Sequence, residues 1–439
     1  MGRKVFISVL GAGLYGKCKY VDGTFSSKET FFVQTATLEY LRASEWSEND
    51  IGLFLLTEKA RKDNWDKNIS SRRDNRINQN VEYKGLEKDI EELKLPIKIC
   101  DLPIPDGNDE TEIWDIFSKT FELIQDDDEL YFDVTHAFRF LPMLILVLCD
   151  YTKFLKNTQI KSITYGNYEA RDQKKTPNEA QIVNLLPISQ LQDWTFAAGQ
   201  YMNGGNVAQL VKLCEDEFKP ILQTTGGTDE SARNLRDFAK NLYDVIEQRM
   251  ACRGKDIIEA KSFKKLKEAS KRVETSLFEP LKPIFDKIQT SFDLFDENEN
   301  IANGYAAAKW CFNNGLYQQS ATILQEVVVS YVCKRHDIDI YDDTQRDIVN
   351  GAFNIAFQKN KADEPRREFD ETKKNKIKDV LNDDIFKDYV IVNGFNNLTE
   401  VRNDFNHSGM RSRRKPMKSS DIKNNIGKCI DILSVLFEK

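Results

Sequence analysis

Over the first 190 residues, short apolar and β-branched runs alternate with longer amphipathic stretches. The runs are KVFISVL from Lys4, DIGLFLLTE from Asp50, PIKICDL from Pro96, ELYFDVT from Glu129, IKSITYG from Ile160 and IVNLLP from Ile182. Between them TATLEYLRA, GLEKDIEELK, TEIWDIFSKTFELI and MLILVLCDYTKFL space their apolar residues as a helix does. Strands alternating with helices predict βαβ units and a largely parallel sheet, so residues 1–190 read as a Rossmann-like α/β domain. After Leu191 the β-runs stop. Residues 191–300 are charged and helical in pattern, broken by the TTGGTDES turn and closed by the acidic DLFDENEN loop. From 301 to 439 the periodicity is that of an all-helical domain, ending in the amphipathic SDIKNNIGKCIDILSVLFEK.

A chain of 439 residues suits two or three domains, and its 40% hydrophobic and 30% charged residues suit packed cores rather than disorder. The net charge of −7 leaves no global polycation, so contact with nucleic acid needs a local basic patch. Eight scattered cysteines without C-x-x-C, and three histidines, argue against structural zinc and a disulfide framework, and no metal or organic cofactor is expected. The longest apolar run, Phe140 to Cys149, falls far short of the roughly 20 residues of a spanning helix. The opening MGRKVFISVLGAG lacks a small-residue cleavage site, and Phe6 spoils a myristoylation signal; it reads as the buried first strand of a cytoplasmic protein.

Gly11, Ala12, Gly13, Leu14, Tyr15 and Gly16 spell G-x-G-x-x-G directly after the first strand. A dinucleotide fingerprint needs a helix to open at the loop, yet KCKYVDGTF follows with no helical period. Nicotinamide or flavin binding is disfavoured on that ground. Two readings remain open: a tight turn without a ligand, and a loop that offers backbone N–H groups to a phosphate-bearing ligand. A second junction, Tyr131 to Pro142, runs from an apolar strand into a helix signalled by Pro142 and gathers Asp133, Thr135, His136 and Arg139. A hydroxyl, an imidazole and a guanidinium at a strand's carboxyl end suit a phosphate and base clamp. The bland alternative has Thr135 capping the helix and Arg139 paired with a carboxylate.

Near the C-terminus, Arg402, Asn403 and His407 form R-N-x-x-x-H. On a helix Arg402 and His407 lie roughly 140° apart, while Asn403 and His407 are i,i+4 neighbours, so Asn403 can orient the imidazole. Gly409 suits the C′ position, which puts His407 in the last turn, where the helix dipole favours imidazolium. Arg411, Arg413 and Arg414 follow as a basic cluster suited to RNA phosphates. A solvated helix end with a surface histidine is the plain alternative.

The pairing of G-A-G-L-Y-G with D-V-T-H-A-F-R-F-L-P resembles the CARF sensor domain of type III CRISPR accessory proteins, with Ala137 where that family carries glycine. R-N-x-x-x-H resembles the HEPN ribonuclease motif, and the order of sensor, helical connector and HEPN domain spans the chain. Trp310 to Glu326 also resembles that helical domain, although by itself it is an amphipathic core helix in which Gln325 and Glu326 need no catalytic role. The resemblance implies a homodimer, or a higher oligomer, that binds one cyclic oligoadenylate across its two-fold axis, with cyclic tetra-adenylate favoured over cyclic hexa-adenylate. It also implies metal-independent cleavage of single-stranded RNA, with His407 transferring a proton, Arg402 stabilising the phosphorane, and 2′,3′-cyclic phosphate ends. From another class, a ligand-sensing transcription regulator would use the basic stretch KSFKKLKEASKR.

Overall fold

The computed structural model describes residues 2–66, 70–74, 79–136, 140–274, 279–358, 370–411 and 416–437. The chain divides into two compact units, Met1–Gln192 and Asp193–Lys439.

The first unit is built on eight strands: β1 Lys4–Leu10, β2 Lys19–Asp22, β3 Phe25–Ser26, β4 Ile51–Leu56, β7 Lys98–Pro103, β8 Glu129–Asp133, β9 Gln159–Gly166 and β10 Glu179–Asn184. A separate antiparallel ribbon joins β5 Ser70–Asp74 to β6 Gln79–Tyr83. The sheet order is β3-β2-β10-β9-β8-β1-β4-β7, and its five strands β9-β8-β1-β4-β7 are parallel, as the alternation of strands and helices predicts. Strand β10 runs antiparallel to β9. Alternate residues of β1 serve opposite faces. Val5, Ile7 and Val9 pack with Leu53, Ile116 and Leu148 on one side, while Phe6 and Leu10 pack with Leu38, Phe54 and Ile90 on the other. The chain leaves β1 toward β4 and β7 on one side, then returns to place β8 and β9 on the other. The strand order therefore reverses between β1 and β8, and the carboxyl ends of those two strands are where such a sheet opens a crevice.

The second unit is helical. The stretches read as connector and as C-terminal domain share one hydrophobic core, which runs from Trp194 and Leu242 through Trp310 and Val328 to Phe395 and Leu433. The helix Lys261–Glu274, which holds the basic stretch a regulator would use, buries Phe263, Leu266, Ala269 and Val273 in that core. The helix Tyr389–Asn406 begins at Asp388, whose carboxylate accepts from the N–H groups of Val390 and Ile391, at 2.8 and 3.3 Å. Its buried face carries Ile391, Phe395, Leu398 and Val401, with Phe395 stacked on Phe353 at 3.9 Å between centroids. Among the described residues, no helix is long and apolar enough to cross a membrane.

Candidate functional site

At the switch point of the sheet lies a cavity of about 210 Å³ lined by Leu14, Tyr15, Gly16, Tyr20, Phe31 and Thr135, with His136, Tyr165, Gly166, Tyr168 and Glu169 completing the wall. Ser8 on β1 stands in register with Asp133 on β8, and its hydroxyl donates to the carboxylate at 2.8 Å. Asp133 is fully buried, and its other oxygen accepts from the Thr135 N–H at 3.1 Å and the Thr135 hydroxyl at 2.5 Å. Burial pushes the Asp133 carboxyl above its usual range, against the opposing effect of these hydrogen bonds. Thr135 Oγ1 also accepts from the Gly166 N–H at 2.7 Å and so ties the end of β8 to the end of β9. The Thr135 hydroxyl proton is thus committed within the protein, and the residue shapes the cavity wall. Nor does it cap a helix: the helix Leu141–Lys156 starts at Phe140 without a side-chain cap, with Pro142 in its first turn as predicted.

His136 is the imidazole of the cavity wall. Its ring lies 4.1 Å from that of Tyr15 between centroids, and its Nε2 is buried with no hydrogen-bond partner among the described residues. Burial lowers its pKa to about 4, so the imidazole is neutral near pH 7. A neutral imidazole with a free ring nitrogen is available to a ligand as donor or acceptor according to its tautomer. Arg139 lies outside the described residues.

Within the glycine loop, Leu14, Tyr15 and Gly16 line the cavity, whereas Gly11, Ala12 and Gly13 do not. A Cβ on Gly11 would lie 2.7 Å from Tyr15 Oη, so a larger residue there has to displace the Tyr15 side chain; Gly13 has open space. Sequence reasoning missed the residue that holds the loop. Asn64, fully buried in a π-helical turn over Arg61–Trp65, donates to the carbonyls of Gly11 at 2.7 Å and Gly13 at 2.8 Å. It also missed Tyr165, Gly166 and Tyr168. Their signal was present in principle, since IKSITYG is the strand beside β8 and its carboxyl end must reach the same crevice.

In the helical unit, Arg402 lies in the last turns of the helix Tyr389–Asn406 and the exposed His407 is its C-cap. The helix ends one residue earlier than Gly409 implies: Ser408, at φ +51°, occupies the left-handed C′ position, and Gly409 follows at φ +71°. The Ser408 N–H reaches the Phe405 carbonyl at 2.9 Å and the Gly409 N–H reaches that of Asp404 at 2.9 Å, which is a Schellman closure. No hydrogen bond joins the Asn403 side chain to the His407 ring; Asn403 contributes its carbonyl, which accepts from the His407 N–H at 3.2 Å. Arg402 and His407 are not bonded to each other. Arg402 faces Glu326 instead, Nη2 to Oε1 at 3.7 Å. Arg411 Nη1 donates to Glu400 at 2.8 Å, and both side chains are about a fifth exposed, 22% and 21%. Arg413 and Arg414 lie outside the described residues.

By fold the chain is a Rossmann-like α/β unit with a cavity at its switch point, followed by an all-helical unit whose penultimate long helix, Tyr389–Asn406, ends at the Arg–His pair. No protein-family profile matches it. It is similar to CRISPR-associated protein MJ1674 of Methanocaldococcus jannaschii, at 26% identity over 242 residues, which is 53% of this chain and 34% of that protein. The matched chain thus spans about a third of its curated relative. Among solved structures it is similar to Enterococcus italicus Csm6 bound to cyclic hexa-2′-fluoro-hexa-dAMP, with a TM-score of 0.43 and 10% identity over 100% of this chain and 94% of that one.

Proposed function

We propose that the chain is a single-stranded RNA endonuclease of type III CRISPR defence, switched on by a cyclic oligoadenylate. The observation that carries this reading is the pairing, in one chain, of a switch-point cavity lined by Thr135 and His136 of D-V-T-H with a helix end bearing R-N-x-x-x-H. That is the order of CARF and HEPN domains, and the similarity to a CRISPR-associated protein supports the setting.

The rings of Tyr15, Phe31, Tyr165 and Tyr168 suit stacking on bases, and His136 Nε2 suits a polar edge of base or ribose. At about 210 Å³ the cavity is smaller than a site that encloses a whole drug-sized ligand, a size that suits part of a ring shared between two copies. An exposed apolar stripe on the helix Leu141–Lys156, Met143, Val147, Tyr151 and Phe154, suits the contact between those copies. Cyclic tetra-adenylate is the preferred ring.

In the chemistry, the RNA 2′-hydroxyl attacks the adjacent phosphorus in line and loses its proton to solvent. The bond from phosphorus to the 5′-oxygen breaks, His407 protonates that oxygen, and Arg402 offsets the charge on the phosphorane. The products are a 2′,3′-cyclic phosphate and a 5′-hydroxyl. Arg413 and Arg414 supply phosphate contacts along the strand. Because the nucleophile belongs to the RNA, this route needs no metal-bound water. The test is fluorogenic RNA cleavage in excess EDTA with linear and cyclic oligoadenylates of four and six units. Cleavage should require a cyclic activator, respond best to the tetramer and survive EDTA; strict dependence on added Mg²⁺ or Mn²⁺ contradicts the 2′-hydroxyl route.

A further inference from the structure

Glu326, on the helix Tyr317–Arg335, sits between two arginines. Its Oε2 accepts from Arg346 Nη2 at 2.7 Å, and the same nitrogen donates to the Glu326 carbonyl at 3.1 Å. Arg346 is fixed further by Nη1, which donates to Ser330 Oγ at 2.8 Å and to the Ile340 carbonyl at 2.9 Å, and its side chain is only 12% exposed. The carboxylate is therefore anchored from one side. On the other side Oε1 lies 3.7 Å from Arg402 Nη2, inside ion-pair range but beyond a hydrogen bond. The Arg402 guanidinium is thus drawn toward a fixed negative charge while its buried Nε has no acceptor among the described residues.

We infer that Glu326 is a positioning residue for Arg402, anchored by Arg346, that aims the guanidinium at the scissile phosphate and partly offsets its charge until the phosphorane forms. The inference rests on the ribonuclease reading of Arg402. An ordinary surface pair between two mobile side chains contributes little, but here one partner is immobilised and the other is the residue assigned to the transition state. The two effects have opposite signs. Removing the carboxylate's charge leaves Arg402 more attractive to any RNA phosphate, which strengthens ground-state binding. It also removes the orientation that matters only in the transition state, which slows the chemical step.

The test uses Glu326→Gln in the full chain, because the amide oxygen still accepts from Arg346. At saturating activator, single-turnover cleavage should show a half-saturating RNA concentration about three- to tenfold lower and a maximal rate at least about tenfold lower. In a His407→Ala background, RNA affinity should rise by the same factor, and Arg402→Ala should abolish that rise. A merely structural glutamate predicts no tightening. Thermal unfolding checks that the variant folds; should it not, Glu326→Asp, which keeps the charge and withdraws it, should slow cleavage without tightening RNA. If wild type cleaves and Glu326→Gln cleaves identically, or if the tightening persists without Arg402, the inference is overturned and the ribonuclease reading stands. If wild type binds and cleaves no RNA, the ribonuclease reading fails and the inference falls with it.

Discussion

Burial strips the His136 imidazole of most of its basicity, lowering its pKa to about 4 from the usual 6.5. The unfolded chain therefore takes up a proton before the folded one does as pH falls. The stability that His136 contributes as a neutral ring is complete above about pH 6.5 and is lost progressively toward pH 4. Between pH 7 and pH 5 this amounts to about 2 kcal/mol at most. Urea midpoints at the two pH values should fall further in wild type than in His136→Gln; parallel profiles would show that the ring is not buried as described. His136→Ala should weaken activator binding about tenfold through the lost contact. At this scale the sequence placed Thr135 and His136 at the cavity but not their partners. The Thr135 hydroxyl turned out to be committed to Asp133, which only the packing of a buried carboxylate decides. Likewise Arg411 meets Glu400 because the chain reverses at Ser408 and Gly409, a turn that brings together residues 11 apart.

The glycine loop shows what an element owes to a distant residue. Both amide hydrogens of Asn64 are spent on the carbonyls of Gly11 and Gly13, and the loop in turn sets Tyr15 against His136. Asn64→Asp keeps the shape but turns two attractions into contacts between oxygens, which should cost about 1 to 3 kcal/mol locally and release the loop. Activator affinity by calorimetry should drop more than tenfold while most of the thermal stability remains; unchanged affinity would mean that the loop holds itself. The five parallel strands were legible because period-two apolar runs alternate with amphipathic stretches. The reversal of β10 was not, since alternation marks which face a residue serves and carries no direction. Ser408 in the left-handed C′ position was hidden for a related reason. Glycine is the usual occupant there, and Gly409 next door drew the expectation by one residue.

At the scale of the whole molecule, the proposed function needs two copies of the sensor unit and two separate sites in each chain. Phe154 is 87% exposed and Val147 56%, on one face of the same helix. Phe154→Glu together with Val147→Glu should shift the mass measured by light scattering from dimer to monomer and abolish activation, because neither half-cavity then encloses the ring. An unchanged dimer places the interface elsewhere. The central claim is that sensing and chemistry are distinct sites joined by a coupling. The most direct measurement is cyclic tetra-adenylate affinity by calorimetry beside single-turnover RNA cleavage for wild type and His407→Ala. Cleavage by His407→Ala should be abolished while its affinity for the activator stays within a few-fold of wild type, the remaining change reflecting reciprocal coupling. Wild-type cleavage by His407→Ala, or loss of activator binding along with cleavage, would contradict the account.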